Sequence, residues 1–134
     1  MKNTLGRVVI LVRNYEEAGA FYEKALGFHK LYDATLDGQR YLHLAPSPGE
    51  MSGVWLLQAM GTEQEALVGR QAGEQPLLVL YTDSFNAYHQ QLLDHGVTIS
   101  KQPVMTPDAT FLHFRDLYGN DIVLVQLPDP IQNN

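Results

Sequence analysis

RVVILVRN at residues 7–14 and LLVLYTDS at 77–84 are the two runs on which the fold turns. Each is a continuous β-prone segment that ends in a polar cluster, as a buried strand does. Laying the first on the second, a shift of 70 positions, aligns the rest of the chain as a repeat. Helical spacing follows each run. In the first half Asn14 is placed to cap a helix, Glu17 stands three residues on as in a capping box, and Ala18, Phe21, Tyr22, Ala25 and Leu26 form one apolar stripe before Gly27. In the second half Asp83 or Ser84 is the expected cap, Phe85, Tyr88 and Leu92 keep the spacing, and Gly96 is the stop.

Strand-like segments then return in threes. FHKLYDA, RYLHLAP and GVWLLQA close the first half; VTISKQ, TFLHFRD and NDIVLVQL close the second. Each half therefore reads as βαβββ, an α+β arrangement of two tandem modules. In the DLYGN turn at 116–120, Gly119 and Asn120 are expected to supply the positive φ of a tight hairpin. The expectation is a single domain over 1–134, with modules at about 5–59 and 76–127 and a linker at about 60–75 that holds a short helix near 63–69.

Composition narrows the function. The chain has 134 residues, 45% of them hydrophobic, and a net charge of −6 without any Lys/Arg block, so it can bury one ordinary core and lacks an electrostatic footprint for nucleic acid. No run reaches the length of about 18 apolar residues that a membrane helix needs, and the expectation is a soluble, cytoplasmic protein without membrane contact. With no cysteine, disulfides, thiolate metal sites and cysteine nucleophiles are excluded. GxGxxG, P-loop, HExxH and G-x-S-x-G patterns are also missing.

One βαβββ unit has a sheet face that its lone helix cannot cover. Two such units are expected to form a curved mixed sheet around a cleft, and concave, mostly apolar walls of that kind suit a small ligand. Strand alternation puts His43 on one face with Tyr41, and His113 on one face with Phe111, whereas Leu42, Leu44, Leu112 and Phe114 point the other way, towards the helices. The histidine-bearing faces are thus the candidates for the cleft. Glu16 and Glu17 read as solvated charges of a first helical turn, Asp116 and Asp121 as turn residues bonding their own backbone, and His29, His89 and His95 as structural.

The strand at 7–12, FYEKALGF at 21–28 and FRDLYGNDIVLVQ at 114–126 together make the chain resemble the vicinal oxygen chelate (VOC) superfamily. That superfamily takes in glyoxalase I, fosfomycin-resistance enzymes, extradiol dioxygenases and bleomycin-resistance proteins. The resemblance implies the paired βαβββ fold but leaves the chemistry to the site residues. In metal-dependent members a histidine opens the first strand of a module and a glutamate lies in its last strand. Those positions fall here on Arg7, Trp55, Leu77 and Val123, none of which ligates a cation. No metal and no other cofactor is therefore expected.

Within this alignment His43, His113, Trp55, Tyr41, Tyr81, Arg7 and Phe111 are the candidate ligand-binding residues. An indole at position 55 offers a flat wall, Arg7 a partner for an anionic group, and His43 or His113 a base with an ordinary pKa of about 6.5. The leading expectation is a metal-independent protein of the bleomycin-resistance type that binds a small organic molecule. Two alternatives stand beside it: a lyase, isomerase or dioxygenase of the same fold using His43 or His113, and a non-catalytic structural or regulatory dimer. The resemblance also implies a homodimer, with modules pairing either within the chain or across the dimer.

Overall fold

A computed structural model describes residues 1–129. The end of the expected domain, 130–134, lies outside the described residues. Two units are resolved by their internal contacts: the first runs Met1–Gln71 and the second begins at Ala72. Each is a βαβββ module with its own four-stranded mixed sheet.

In the first unit, β1 (Arg7–Val12) leads through α1 (Tyr15–Ala20) to β2 (His29–Leu36), β3 (Gln39–Ala45) and β4 (Gly53–Gln58). The sheet order is β1-β4-β3-β2, with β1 parallel to β4 and the other pairs antiparallel. The expected cap is present: Asn14 Oδ1 accepts from the Glu17 amide at 2.9 Å. Beyond Ala20 the helix widens into a π-helical turn over Phe21–Ala25, where the Leu26 amide reaches back to the Phe21 carbonyl. Tyr22 and Leu26 are both buried. Ala18, Tyr22, Leu26 and Phe28 bury against Ile10, Val12, Leu42, Leu44, Val54 and Leu56, and Tyr22 meets the Phe28 ring edge-on at 5.3 Å. The short helix expected in the linker is α2 (Gly61–Leu67), and behind it Gln71 hydrogen-bonds the Leu11 amide (2.6 Å) and the Val9 carbonyl (3.1 Å) along the edge of β1.

The second unit repeats the plan with β5 (Pro76–Tyr81), α3 (Phe85–Asp94), β6 (Ile99–Met105), β7 (Thr110–Arg115) and β8 (Asp121–Gln126), in the order β5-β8-β7-β6. Its core is Phe85, Leu92, Val97, Leu112, Phe114, Ile122 and Leu124. Two local expectations are corrected. Ser84 occupies the cap position of α3, but its hydroxyl turns to Asp83, and the Phe85 amide is satisfied by Gln126 Oε1 at 2.8 Å, a cap delivered from β8. In the DLYGN turn only Gly119 takes positive φ (103°). Asn120 is instead buried, its side chain donating to Asp116 Oδ2 at 2.9 Å, while Asp116 Oδ1 accepts from the amides of Tyr118, Gly119 and Asn120. Among the described residues no helix is long and apolar enough to cross a membrane.

Candidate functional site

Register fixes which side chains share the face of the first sheet turned away from α1. Val9 pairs with Trp55, Trp55 with His43, and His43 with Tyr32, so these four lie in one row across the sheet. Because Leu42, Leu44, Val54 and Leu56 occupy the helix side, the alternate residues Tyr41, His43, Trp55 and Leu57 point the other way. Their rings touch in sequence. Tyr41 stacks on Trp55 at 5.5 Å between centroids and 26° between planes, His43 lies 5.5 Å from Trp55, and Tyr32 lies 5.8 Å from His43. A continuous aromatic platform results, with Tyr32 a member that the sequence reading did not single out.

Arg7 sets the chemistry of this platform. Its Nε donates to His43 Nδ1 at 3.0 Å, and its Nη1 donates to the carbonyls of Gly6 (2.8 Å) and Met51 (2.7 Å), which hold the guanidinium in place. A guanidinium does not give up its proton, so Nδ1 must be the accepting nitrogen and the imidazole proton sits on Nε2. Burial, and then the neighbouring Arg7 charge, hold the His43 pKa below its ordinary value and keep the ring neutral. His43 Nε2 and Trp55 Nε1 are both buried without a hydrogen-bond partner among the described residues. Each such donor costs about 1–3 kcal/mol relative to a satisfied one.

In the second unit the equivalent row is His113, Val123 and Val79. His113 Nδ1 donates to Asp121 Oδ2 at 2.7 Å, and Asp121 Oδ1 accepts from the Ser100 hydroxyl at 2.7 Å. The carboxylate thereby fixes the ring and directs the lone pair or proton of Nε2 elsewhere. Asp121 had been expected to bond its own backbone, as Asp116 does. Instead the antiparallel register, with Arg115 opposite Asp121, brings its side chain diagonally beside His113 on the same face. That offset within TFLHFRDLYGND was the available signal, whereas nothing in the sequence pointed to Ser100. Phe111 meets His113 edge-on at 6.2 Å, and in register with Phe111 and Val125 stands Tyr81, 71% exposed on β5.

The candidates therefore fall into two groups: Arg7, Tyr41, His43 and Trp55 in the first unit, and Tyr81, Phe111 and His113 in the second. His95, at the end of α3, bonds the Gln91 carbonyl, and His89 lies against the Phe85 ring, in keeping with structural roles. No group of three His, Asp or Glu side chains able to hold a metal ion occurs among the described residues.

The first unit also carries a concavity of about 480 Å³ beside α1, lined in part by Tyr15, Glu23, Phe28, Lys30, Arg40 and Leu42. Two of its cations, Arg40 and Lys30, are already matched. Arg40 grips Asp33 through two 3.0 Å bonds, pairs with Glu16 and lies over the Tyr15 ring, while Lys30 pairs with Glu23 and Asp33. The Arg40 bonds hold the Asp33 carboxyl below the usual carboxylate range. This charge network satisfies itself, so the aromatic face, with its unmet donors, is the better site.

An uncharacterized protein of Shewanella frigidimarina (strain NCIMB 400) is 35% identical over 132 residues, covering 96% of this chain and 97% of that protein. The crystal structure of UcmS2 is 29% identical and superposes with a TM-score of 0.82 over 93% of this chain and 98% of its own. That of TnmS3, an antibiotic binding protein from Streptomyces sp. CB03234, is 27% identical with a TM-score of 0.78 over 95% of this chain and 98% of its own. Residues 4–124, spanning both modules, match one family as a whole, and the chain belongs to the Glyoxalase/Bleomycin resistance protein/Dioxygenase superfamily.

Proposed function

We propose that this protein binds a small organic molecule on the aromatic face of its first sheet, without a metal at the superfamily's usual positions. The observation that carries this reading is the Tyr32–His43–Trp55–Tyr41 platform, four rings in contact on a face that α1 leaves uncovered. At the four usual ligand positions, Arg7 already places a fixed cation bonded to His43, and Trp55, Leu77 and Val123 offer no ligating atom. Those residues do not fit a divalent ion. The likeness to TnmS3, named as an antibiotic binding protein, agrees with ligand binding. The test is a titration of Trp55 emission with a panel of flat organic compounds, on protein treated with chelator and assayed for metal. Saturable change without metal supports the reading; stoichiometric metal bound at these positions, required for binding, overturns it.

A second reading has its own observation. His113, held by Asp121 and Ser100, has the arrangement of a positioned general base, which favours an enzyme that moves a proton. Turnover of a bound ligand that is lost in His113→Gln would favour it over binding alone. In either case we infer a homodimer, because Val79 and Tyr81 leave 53% and 71% of their surfaces exposed side by side on β5.

A further inference from the structure

We propose that the ligand of the first sheet's face is a flat aromatic molecule bearing an acceptor oxygen, a ring carbonyl or its equivalent, which takes the N–H groups of His43 and Trp55. This rests on the binding reading above and narrows it to a chemical class. The rings supply the aromatic surface: Tyr41 and Trp55 lie within 26° of parallel, and His43 and Tyr32 border this pair with tilts of 54° and 53°. The polar demand comes from two buried atoms, His43 Nε2 and Trp55 Nε1, neither of which has a partner among the described residues. Both are donors. Indole nitrogen can only donate. The imidazole is forced to donate from Nε2 because Arg7, itself tied to the Gly6 and Met51 carbonyls, occupies Nδ1.

The register makes the two donors immediate cross-strand neighbours, His43 directly opposite Trp55. One oxygen with two lone pairs, or two adjacent oxygens, can answer both. A ligand that offers only donors answers neither, and a cationic ligand also meets the Arg7 charge 3.0 Å from the imidazole. The face thus selects for acceptors and against amines, which ring stacking alone would not do.

Three small flat bicyclic probes separate these demands: coumarin carries a carbonyl, naphthalene has no polar group, and indole has only a donor. Trp55 is the single tryptophan, so its indole N–H gives one cross-peak in a nitrogen-labelled spectrum of the full chain. Coumarin is expected to bind about tenfold tighter than naphthalene or indole and to move that peak downfield. In Trp55→Phe and His43→Phe, which keep a ring and delete the donor, the ratio of coumarin to naphthalene affinity should shrink severalfold. Should a variant fail to fold, the downfield shift in the unaltered chain still decides. Equal binding of coumarin and naphthalene, with no downfield shift, would overturn the donor assignment and leave the binding reading standing. Failure of all three probes to bind would overturn the binding reading and this inference with it.

Discussion

At the scale of single residues, Arg7 is the position whose role changed most between sequence and structure. From its place in the alignment it reads as a partner for an anionic ligand. In the structure its Nε and Nη1 are committed to His43 Nδ1 and two carbonyls, so its direct effect is to orient the imidazole. Arg7→Met should therefore raise the His43 pKa towards its ordinary value of about 6.5, without fully restoring it, because burial is the larger cause of the depression. An NMR titration of the imidazole nitrogens checks this. The sign for stability follows from the same shift. The unfolded chain takes up this proton at about pH 6.5 and the folded chain only at lower pH, so the contribution is complete above 6.5 and is lost as pH falls through the folded value. Urea midpoints measured down from pH 7 should fall accordingly, and less so in Arg7→Met. Asp121→Asn should cost about 1–2 kcal/mol in the same assay by loosening His113 and Ser100.

At the scale of elements, local sequence was a good guide wherever pattern and backbone chemistry agreed. The strand runs, the Asn14 cap and the buried stripe of Ala18, Tyr22 and Leu26 were legible because each depends on spacing within a few residues. The α3 cap was not, since its acceptor, Gln126, arrives from a strand 41 residues away. Nor was the π-helical turn at Phe21–Ala25, for which the stripe carries no distinct signal. The candidate site divides along the same line. His43 and Tyr41 followed from alternation and Trp55 from the superfamily alignment, whereas Tyr32, Ser100 and the true role of Asp121 depend on register between strands. Gly53 gives the sharpest element-scale test. A Cβ there would stand 2.1 Å from the Leu44 carbonyl oxygen, so Gly53→Ala must push β3 from β4 and should cost at least about 2 kcal/mol, while Gly6→Ala, facing open space, should cost little. Thermal unfolding of the two variants side by side reads the difference.

For the whole molecule, the repeat was visible because both modules keep the same order of strand, helix and three strands, and superfamily membership over residues 4–124 agrees with it. The functional asymmetry was partly visible. His43 and His113 hold equivalent places, but one is paired with a cation and faces Trp55, while the other is paired with a carboxylate and faces Val123. The two modules share one plan but differ in the partners of their histidines. If β5 forms part of a dimer surface, replacing the exposed Tyr81 with lysine should shift sedimentation towards monomer. The most direct test of ligand binding on the aromatic face is a coumarin titration of chelator-treated protein, followed at the Trp55 indole N–H. A saturable downfield shift, accompanied by changes at Tyr41 and His43, is expected; no saturable change, or one that appears only after a divalent metal is added, would contradict it.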